Sequence, residues 1–369
     1  MTTQVIDQGQ NSLLQDLQTR LGVSWKHINA ATDKADETRQ EIEETLREIK
    51  VPADTGLLTF GSLARKEWTS GSDVDWTLLI DGPVDPGHMS VAQQIEELLK
   101  RDGFTEPGPA GTFGGMTFSH ELVHYIGGEN DTNQNTTRRI LLLIESASIG
   151  SSASGRPDDV RDQVLRAIIH RYMVDDMSRV TSDPDRSRVP RFLLNDIVRF
   201  WRTMAVDYAS KRWERGDAKW ALRNLKLRFS RKLIFVAGLL ACFGAKSDRL
   251  YPRPEYDEPA GKDELEPRVG HLRSMLDPPP LFILAHAARE YCDDKTIKEM
   301  FDAYDSFLEI LDSRENRDHL EHLPTTEAQT DELFIRVQEI SRMFQQSLTT
   351  LFFKTNDELT KFAMEYGLF

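Results

Sequence analysis

Two aspartates near a Gly-Ser pair are the residues of this sequence best suited to chemistry. Gly61 and Ser62 follow a short apolar run, and Asp73 and Asp75 directly precede a second one. If the second run is a strand, residues i and i+2 point to the same side, so the two carboxylates face one point. Two such carboxylates repel unless a cation lies between them. Mg²⁺ that also holds substrate phosphates fits that arrangement.

The residues around the Gly-Ser pair suit contact with a phosphate chain. Gly61 allows the backbone to approach a phosphate closely, and Ser62 can donate both its hydroxyl and its backbone N–H. Arg65 and Lys66 follow where a helix would start, so they either meet a triphosphate or form a solvated first turn. Ser72, directly before the aspartate pair, is a further candidate for nucleotide binding.

The string of Gly61-Ser62, a spacer and Asp73-x-Asp75 resembles the signature of the DNA polymerase β-like nucleotidyltransferase superfamily. The wider resemblance covers residues 40–150. It implies transfer of a nucleoside monophosphate from a nucleoside triphosphate to a hydroxyl acceptor, with release of pyrophosphate. It also implies Mg²⁺ or Mn²⁺ as cofactor, held by the two aspartates and acting on the α-phosphate, the attacking oxygen and the leaving group.

The superfamily normally adds a third carboxylate from a later strand, and three residues are candidates. Glu121 lies in a segment that alternates like a strand. Glu145 ends an apolar run, 138–146, and lies beside the aspartates if that run is a strand. If the run is a helix, which residues 133–137 would start well, Glu145 instead binds a neighbouring arginine. Asp131 is the weakest of the three.

The segment His120-Glu121-Leu122-Val123-His124 matches the zinc hydrolase pattern His-Glu-x-x-His. On a helix the two imidazoles would share a face and could bind Zn²⁺, with Glu121 as the base of a metalloprotease. The strand-like alternation and the lack of a clear third ligand at a recognised distance argue against this alternative.

A strongly basic string at 211–232 stands out in a chain of net charge −14. Within it, Lys219, Arg223 and Lys226 recur at helical spacing. They bind a triphosphate or an anionic acceptor if the stripe faces the catalytic cleft, and otherwise form a solvated basic face. An adjacent apolar stripe is predicted to be buried, and two tryptophans fit a core better than a base-stacking platform. The stripe is Leu222, Leu225, Phe229 and Leu233, and the tryptophans are Trp213 and Trp220.

Composition limits the remaining classes of function. An acidic chain does not suit a protein that coats duplex nucleic acid. Cys242 and Cys292 have no metal-ligand spacing and indicate reduced thiols of a cytoplasmic protein. The N-terminus is polar, with no secretory leader. The longest apolar run, 233–243, falls short of the ~20 residues of a membrane span.

The pattern predicts an α/β (α+β) nucleotidyltransferase domain with a mixed sheet at residues 1–152, then an all-α domain at 153–369. The active cleft is expected between them. A linker is predicted at 151–155 and an acidic loop at 252–270. Predicted helices after the linker are 158–174, 191–214, 219–243, 280–293, 295–313, 326–348 and 358–366.

The acceptor is the least determined part of the prediction. The domain order also looks like the catalytic half of the uridylyltransferase of bacterial nitrogen signalling, in which the acceptor is a protein tyrosine. Similar stand-alone enzymes make nucleotide signals in phage defence or modify transfer RNA, so an oligonucleotide or a partner protein is expected. A catalytically inactive nucleotide-binding scaffold is the alternative, and the presence of both Asp73 and Asp75 argues against it.

Overall fold

The computed structural model describes residues 13–108, 112–150, 159–214, 219–252 and 265–367, except for 180–188. Their contacts divide them into two compact units. The sheet unit contains the described residues of 31–179 and 265–273. The helical unit contains those of 13–30, 189–252 and 274–367. The predicted linker at 151–155 lies outside the described residues, so the domain division at residue 152 stays a prediction.

The sheet has four strands in the order β3-β2-β1-β4. They are β1 (Thr55–Thr59), β2 (Trp76–Ile80), β3 (Gly115–Phe118) and β4 (Ala147–Ser148). β1 pairs antiparallel with β2 and β4, whereas β2 pairs parallel with β3. The prediction of a mixed sheet followed by helices is therefore confirmed.

Sixteen α-helices are present in the described part of the chain. In chain order they are α1 (13–21), α2 (Lys26–Thr45), α3 (Gly61–Ala64), α4 (Pro86–Arg101), α5 (Ser119–His124), α6 (Asn133–Ile144), α7 (Val160–Arg179), α8 (Arg191–Glu214), α9 (Trp220–Lys226), α10 (Lys232–Gly244), α11 (Leu265–Leu276), α12 (Pro280–Tyr291), α13 (Asp294–Asp312), α14 (Arg314–His322), α15 (Glu332–Phe353) and α16 (Asp357–Gly367).

Differences from the predicted segments include the following. The acidic loop was predicted to reach residue 270, but α11 begins at Leu265. Helix α14 was not predicted, because its polar sequence carries only one buried apolar residue, Leu320. A π-helix at Leu227–Arg231 interrupts the helix predicted at 219–243 and joins α9 to α10. The residues of the loop at 253–264 lie outside the described part.

The register of β1 on β2 brings the two candidate motifs together. Thr59 at the end of β1 lies opposite Trp76 at the start of β2. The pairing continues one step further, where the Phe60 N–H donates to the Asp75 carbonyl at 2.8 Å. The Gly-Ser pair that follows β1 therefore begins beside the aspartates that precede β2.

One face of the sheet carries the core of the sheet unit. Leu57, Trp76 and Leu78 on the strands pack against Ile42 of α2 and Ile95 of α4. All five side chains are buried. Since residues of a strand alternate between faces, the odd-numbered residues of β2 point to the other face, near Leu122 of α5 and Leu142 of α6.

An aromatic stack forms part of the core of the helical unit. The Phe229 ring in the π-helix stacks on Phe307 of α13 and Phe344 of α15, with ring centroids 4.6 and 5.1 Å apart. Both cysteines are free thiols. Cys242 is buried, whereas Cys292 is half-buried, and burial raises the Cys292 pKa to about 12. Among the described helices, none has both the length and the apolar character needed to cross a bilayer.

Candidate functional site

The backbone of Gly61 lies directly against the side chain of Asp75. Gly61 has a φ of +66°, a conformation that favours glycine. A Cβ placed on it would lie 2.5 Å from Asp75 Oδ2. Two hydrogen bonds hold the Asp75 carbonyl: one from the Phe60 N–H at 2.8 Å and one from the Thr59 hydroxyl at 3.3 Å. Glycine is therefore required at residue 61 by both conformation and contact.

A compact turn follows Gly61. Helix α3 is a single turn, in which the Arg65 N–H donates to the Gly61 carbonyl at 3.0 Å. The Glu67 N–H donates to the Ser62 carbonyl at 2.8 Å. Between them, Lys66 has a φ of +58°, which is unusual for a residue with a side chain. Half-buried Ser62 is thus held in a tightly folded loop.

The loop before β2 directs the two aspartates to one side. Val74 is buried in the core under the sheet, and its N–H donates to the Thr105 carbonyl at 3.0 Å. Val74 lies between the two aspartates, so alternation of side chains along the chain would direct Asp73 and Asp75 away from that core. Both are half-buried. The Ser72 hydroxyl accepts from the Thr69 N–H at 3.1 Å and so stabilises the turn that precedes them.

The donors at this place suit a hard divalent cation shared with a substrate. Asp73 and Asp75 offer carboxylate oxygens on one side of the loop. The described residues contain no cluster of three or more His, Cys, Asp or Glu that could hold a metal ion. Mg²⁺ is commonly held by one or two carboxylates together with substrate phosphates, so the two aspartates fit that mode.

Arg65 is buried between two glutamates. Its side chain is only 6% exposed; Nε lies 2.9 Å from Glu67 Oε2, and Nη1 contacts Glu145 Oε2. Both glutamates are buried as well. The solvated first turn considered for Arg65 is therefore wrong. The ion pairs connect the turn after Gly61 to the end of α6, which Glu145 caps.

None of the three candidates for a third carboxylate lies on a strand. The run that ends at Glu145 is helix α6, so its strand alternative is wrong, and Glu145 has the arginine neighbour expected for the helical one. Glu121 was expected on a strand, but β3 ends at Phe118 and Glu121 lies half-buried in the first turn of α5. Asp131 is buried in an ion pair with Arg139, whose Nη2 lies 2.7 Å from Asp131 Oδ2.

The His-Glu-x-x-His segment forms a short helix. His120 and His124 are exposed on α5, and their ring centroids lie 4.8 Å apart. They therefore share a helix face, as zinc ligands at this spacing would. No third candidate ligand lies with them in the part of the chain that the structure describes.

The predicted basic stripe belongs to the helical unit. Lys219 precedes α9 with a φ of +58°, and its Nζ lies 2.6 Å from Glu321 Oε2. Arg223 and Lys226 are half-buried on α9.

Trp220 is a core residue, since its buried indole donates to the Leu323 carbonyl at 2.6 Å. The apolar stripe is buried as predicted, at Leu222, Leu225, Phe229 and Leu233. The side chain of Trp213 lies outside the described part.

The sequence interpretation missed the role of Glu67. Its signal was present, since Glu67 lies two residues from Arg65 in a segment with few other acids. Helical spacing would not bring these two side chains together. The left-handed conformation of Lys66 turns the chain out of α3, and the pair forms there.

Comparison with known families agrees with this geometry. Residues 39–106 match the family model of the nucleotidyltransferase domain. This stretch, which contains Gly61-Ser62 and Asp73-x-Asp75, is a nucleotidyltransferase domain of the DNA polymerase β-like superfamily. The match supports transferase activity and implies a nucleoside triphosphate as substrate. No curated protein sequence matches the chain significantly.

Proposed function

We propose that this protein transfers a nucleoside monophosphate from a nucleoside triphosphate to a hydroxyl acceptor, with Mg²⁺ or Mn²⁺ as cofactor. The contact of Gly61 with Asp75 carries the proposal, because it joins the two halves of the motif within the stretch that matches the domain family. In the reaction the acceptor oxygen bonds to the α-phosphorus and the bond to the β-phosphate breaks. Pyrophosphate leaves, and the acceptor proton passes to a base.

Each residue of the motif has a proposed task. Asp73 and Asp75 hold the divalent cation, which when bound polarises the α-phosphate and stabilises the leaving group. Gly61 keeps side-chain atoms away from the phosphates, and Ser62 donates hydrogen bonds to them. Ser72 shapes the turn that presents the aspartates. These tasks require rigid placement, which the hydrogen bonds to the Asp75 carbonyl and the Arg65 ion pairs favour.

The remaining predicted site residues stay proposals. Glu121 and Glu145 are the candidates for the third carboxylate. Arg65 contributes by fixing the loop, since its guanidinium is already engaged by Glu67 and Glu145. Synthesis of a nucleotide signal in phage defence, with ATP as a donor, is the pathway that suits a nucleotide or oligonucleotide acceptor. A protein side chain is the other acceptor class.

The test is incubation of the purified full chain with each α-labelled nucleoside triphosphate and Mg²⁺ or Mn²⁺. Products are resolved by size. Labelled protein identifies a protein acceptor, a ladder identifies an oligonucleotide, and a single small product identifies a dinucleotide or cyclic signal. Asp73→Asn and Asp75→Asn should each abolish transfer while the fold is retained. Glu129→Gln, at an exposed acid of the same unit, is the matched control.

Two outcomes would replace the proposal. Nucleotide binding that raises the melting temperature, without turnover of any nucleoside triphosphate, would identify an inactive scaffold. One zinc per chain, lost on combined His120→Ala and His124→Ala substitution, would identify the metalloprotease alternative. Transfer at wild-type rates by both aspartate variants would refute the assignment of the site.

A further inference from the structure

The helical unit contains an open, mainly apolar cavity of about 400 Å³. Four helices line it, with Trp201 on α8, Phe235 on α10, Phe352 on α15 and Met364 on α16 among the lining residues. The volume falls within the roughly 300–1,000 Å³ of small-molecule sites. No residue of the nucleotidyl transfer motif takes part.

The lining includes large apolar side chains that water reaches. Val198 is 41% exposed, Phe353 is 56% exposed and Met364 is 54% exposed. All three border this one cavity. The Trp201 and Phe235 rings stack beside them, with centroids 5.5 Å apart. An apolar group that enters this cavity can bury its surface against these side chains.

A single lysine supplies the charge in this lining. Lys232 begins α10 directly after the π-helix, and its Nζ donates to the Gln345 amide oxygen at 2.7 Å. No carboxylate of the described residues forms an ion pair with it. Burial, assisted by the like charge of Arg228, lowers the Lys232 pKa to about 8. An ammonium group so placed gains from an incoming anion, because the anion compensates for the lost hydration.

We propose that this cavity binds a small amphiphile whose anionic head pairs with Lys232 and whose apolar body lies along Trp201, Phe235 and Met364. Charge complementarity selects the head, since Lys232 is the one charged side chain among the lining residues. The apolar walls select the body by burial of its surface. Fatty carboxylates and aromatic carboxylates both belong to this class. The site is separate from the proposed nucleotidyl transfer and does not depend on it.

The test is calorimetric titration of the full chain with sodium decanoate, kept below its micellar concentration. One saturable site per chain is expected. Octanoate should bind roughly tenfold more weakly, because two buried methylenes are lost. Decanol should bind more weakly than decanoate, because it lacks the charge.

Variants of the cavity locate the site. Lys232→Met keeps an apolar stem, and it should weaken decanoate at least tenfold while leaving decanol unchanged. Leu239→Trp, on the same cavity wall, should fill the space and weaken both. Lys295→Met removes a lysine that is exposed elsewhere in the helical unit and should bind like the wild type. Leu239→Trp keeps the test decisive even if Lys232→Met does not fold.

Three results would overturn the proposal. The first is the absence of saturable decanoate binding at millimolar concentration. The second is equal decanoate affinity in the wild type and in folded Lys232→Met. The third is a concentration-dependent dimer that Phe353→Asp dissociates, because a second copy would then cover the cavity.

Discussion

Gly61 and Asp75 are in such close contact that a single added methyl group would disturb the proposed site. The position of that methyl carbon would be 2.5 Å from Asp75 Oδ2, well inside van der Waals contact. The carbonyl of Asp75 is fixed by hydrogen bonds to the end of β1. The carboxylate therefore has to move when residue 61 gains a side chain, while the backbone of Asp75 stays in place.

Gly61→Ala is expected to abolish nucleotidyl transfer. The methyl group displaces the Asp75 carboxylate, and the positive φ adds strain of roughly 1–2 kcal/mol. Gly103→Ala is the matched control, because Gly103 also has a positive φ but has open space around its Cβ position. It should lose similar stability and keep full transfer. Turnover is measured with labelled nucleoside triphosphate, and stability by urea unfolding. Equal transfer in the two variants would mean that the close contact is irrelevant to function.

Arg65→Met is expected to destabilise the protein by about 3–5 kcal/mol, since it removes the guanidinium that pairs with buried Glu67 and Glu145. Replacing all three residues by methionine should recover much of that loss, because the three charges of this cluster are then removed together. Urea unfolding of the wild type, the single variant and the triple variant measures both effects. A single variant as stable as the wild type would show that the Arg65 pairs contribute nothing.

At residue 66 we expect the glycine variant to be more stable than the alanine variant, which reverses the usual order of stability. In most structured positions glycine is the less stable of the two, by roughly 0.5–1 kcal/mol. At a φ of +58° we expect Lys66→Gly to be more stable than Lys66→Ala by about 1 kcal/mol. Both variants lose the ion pair with Asp36, whose Oδ1 lies 3.2 Å from Lys66 Nζ. The difference between their free energies of unfolding therefore reports the effect of the backbone conformation. Thermal unfolding of the two variants decides the order.

Lys232→Met should stabilise the protein most at neutral and lower pH. Burial lowers the folded-state pKa of Lys232 from 10.5 to about 8. Between these values the unfolded chain binds more protons, so wild-type stability gains from rising pH in this window. The advantage of the methionine variant is therefore largest below pH 8 and shrinks toward pH 10.5. Unfolding at pH 7 and pH 9.5 measures it, with Lys295→Met as control. A pH-independent difference would contradict the burial of the charge.

The sequence predicted the parts of the site that depend on local spacing. The glycine and the serine lie next to each other, and the aspartates lie two residues apart, so strand alternation was enough to bring the carboxylates to one side. The fold class followed from two apolar runs and a largely helical remainder. The apolar stripe beside the basic residues was predicted to be buried, and the structure confirms that burial.

The parts that depend on long-range contacts were not predictable. Arg65 and Glu145 are separated by 80 positions, and nothing local links them. The run before Glu145 is too short for periodicity to distinguish a buried strand from a buried helix. Glu121 was expected on a strand, because the alternation of β3 continues in sequence past Phe118, where the backbone turns into α5. The cavity at Lys232 combines four helices, so no single segment indicates it.

The basic stripe of Lys219, Arg223 and Lys226 is expected to contact phosphates of the substrate or acceptor. Changing all three to glutamine should weaken binding and leave the fold and the aspartate pair unchanged. For a single-stranded oligonucleotide, each lost phosphate contact should flatten the salt dependence of binding by a slope of roughly 0.7. Fluorescence anisotropy across a salt series measures this. The control changes three exposed lysines of the same unit, Lys295, Lys354 and Lys361.

The pattern of defects in the stripe variant identifies the bound group. A defect with nucleoside triphosphate alone, and equally with triphosphate plus oligonucleotide, indicates that the stripe holds the triphosphate. A defect confined to the oligonucleotide indicates that it holds the acceptor. If the stripe only faces solvent, the triple variant should lose no more than about 0.5 kcal/mol of stability. Wild-type binding and turnover at every salt concentration would then exclude these three residues from the site.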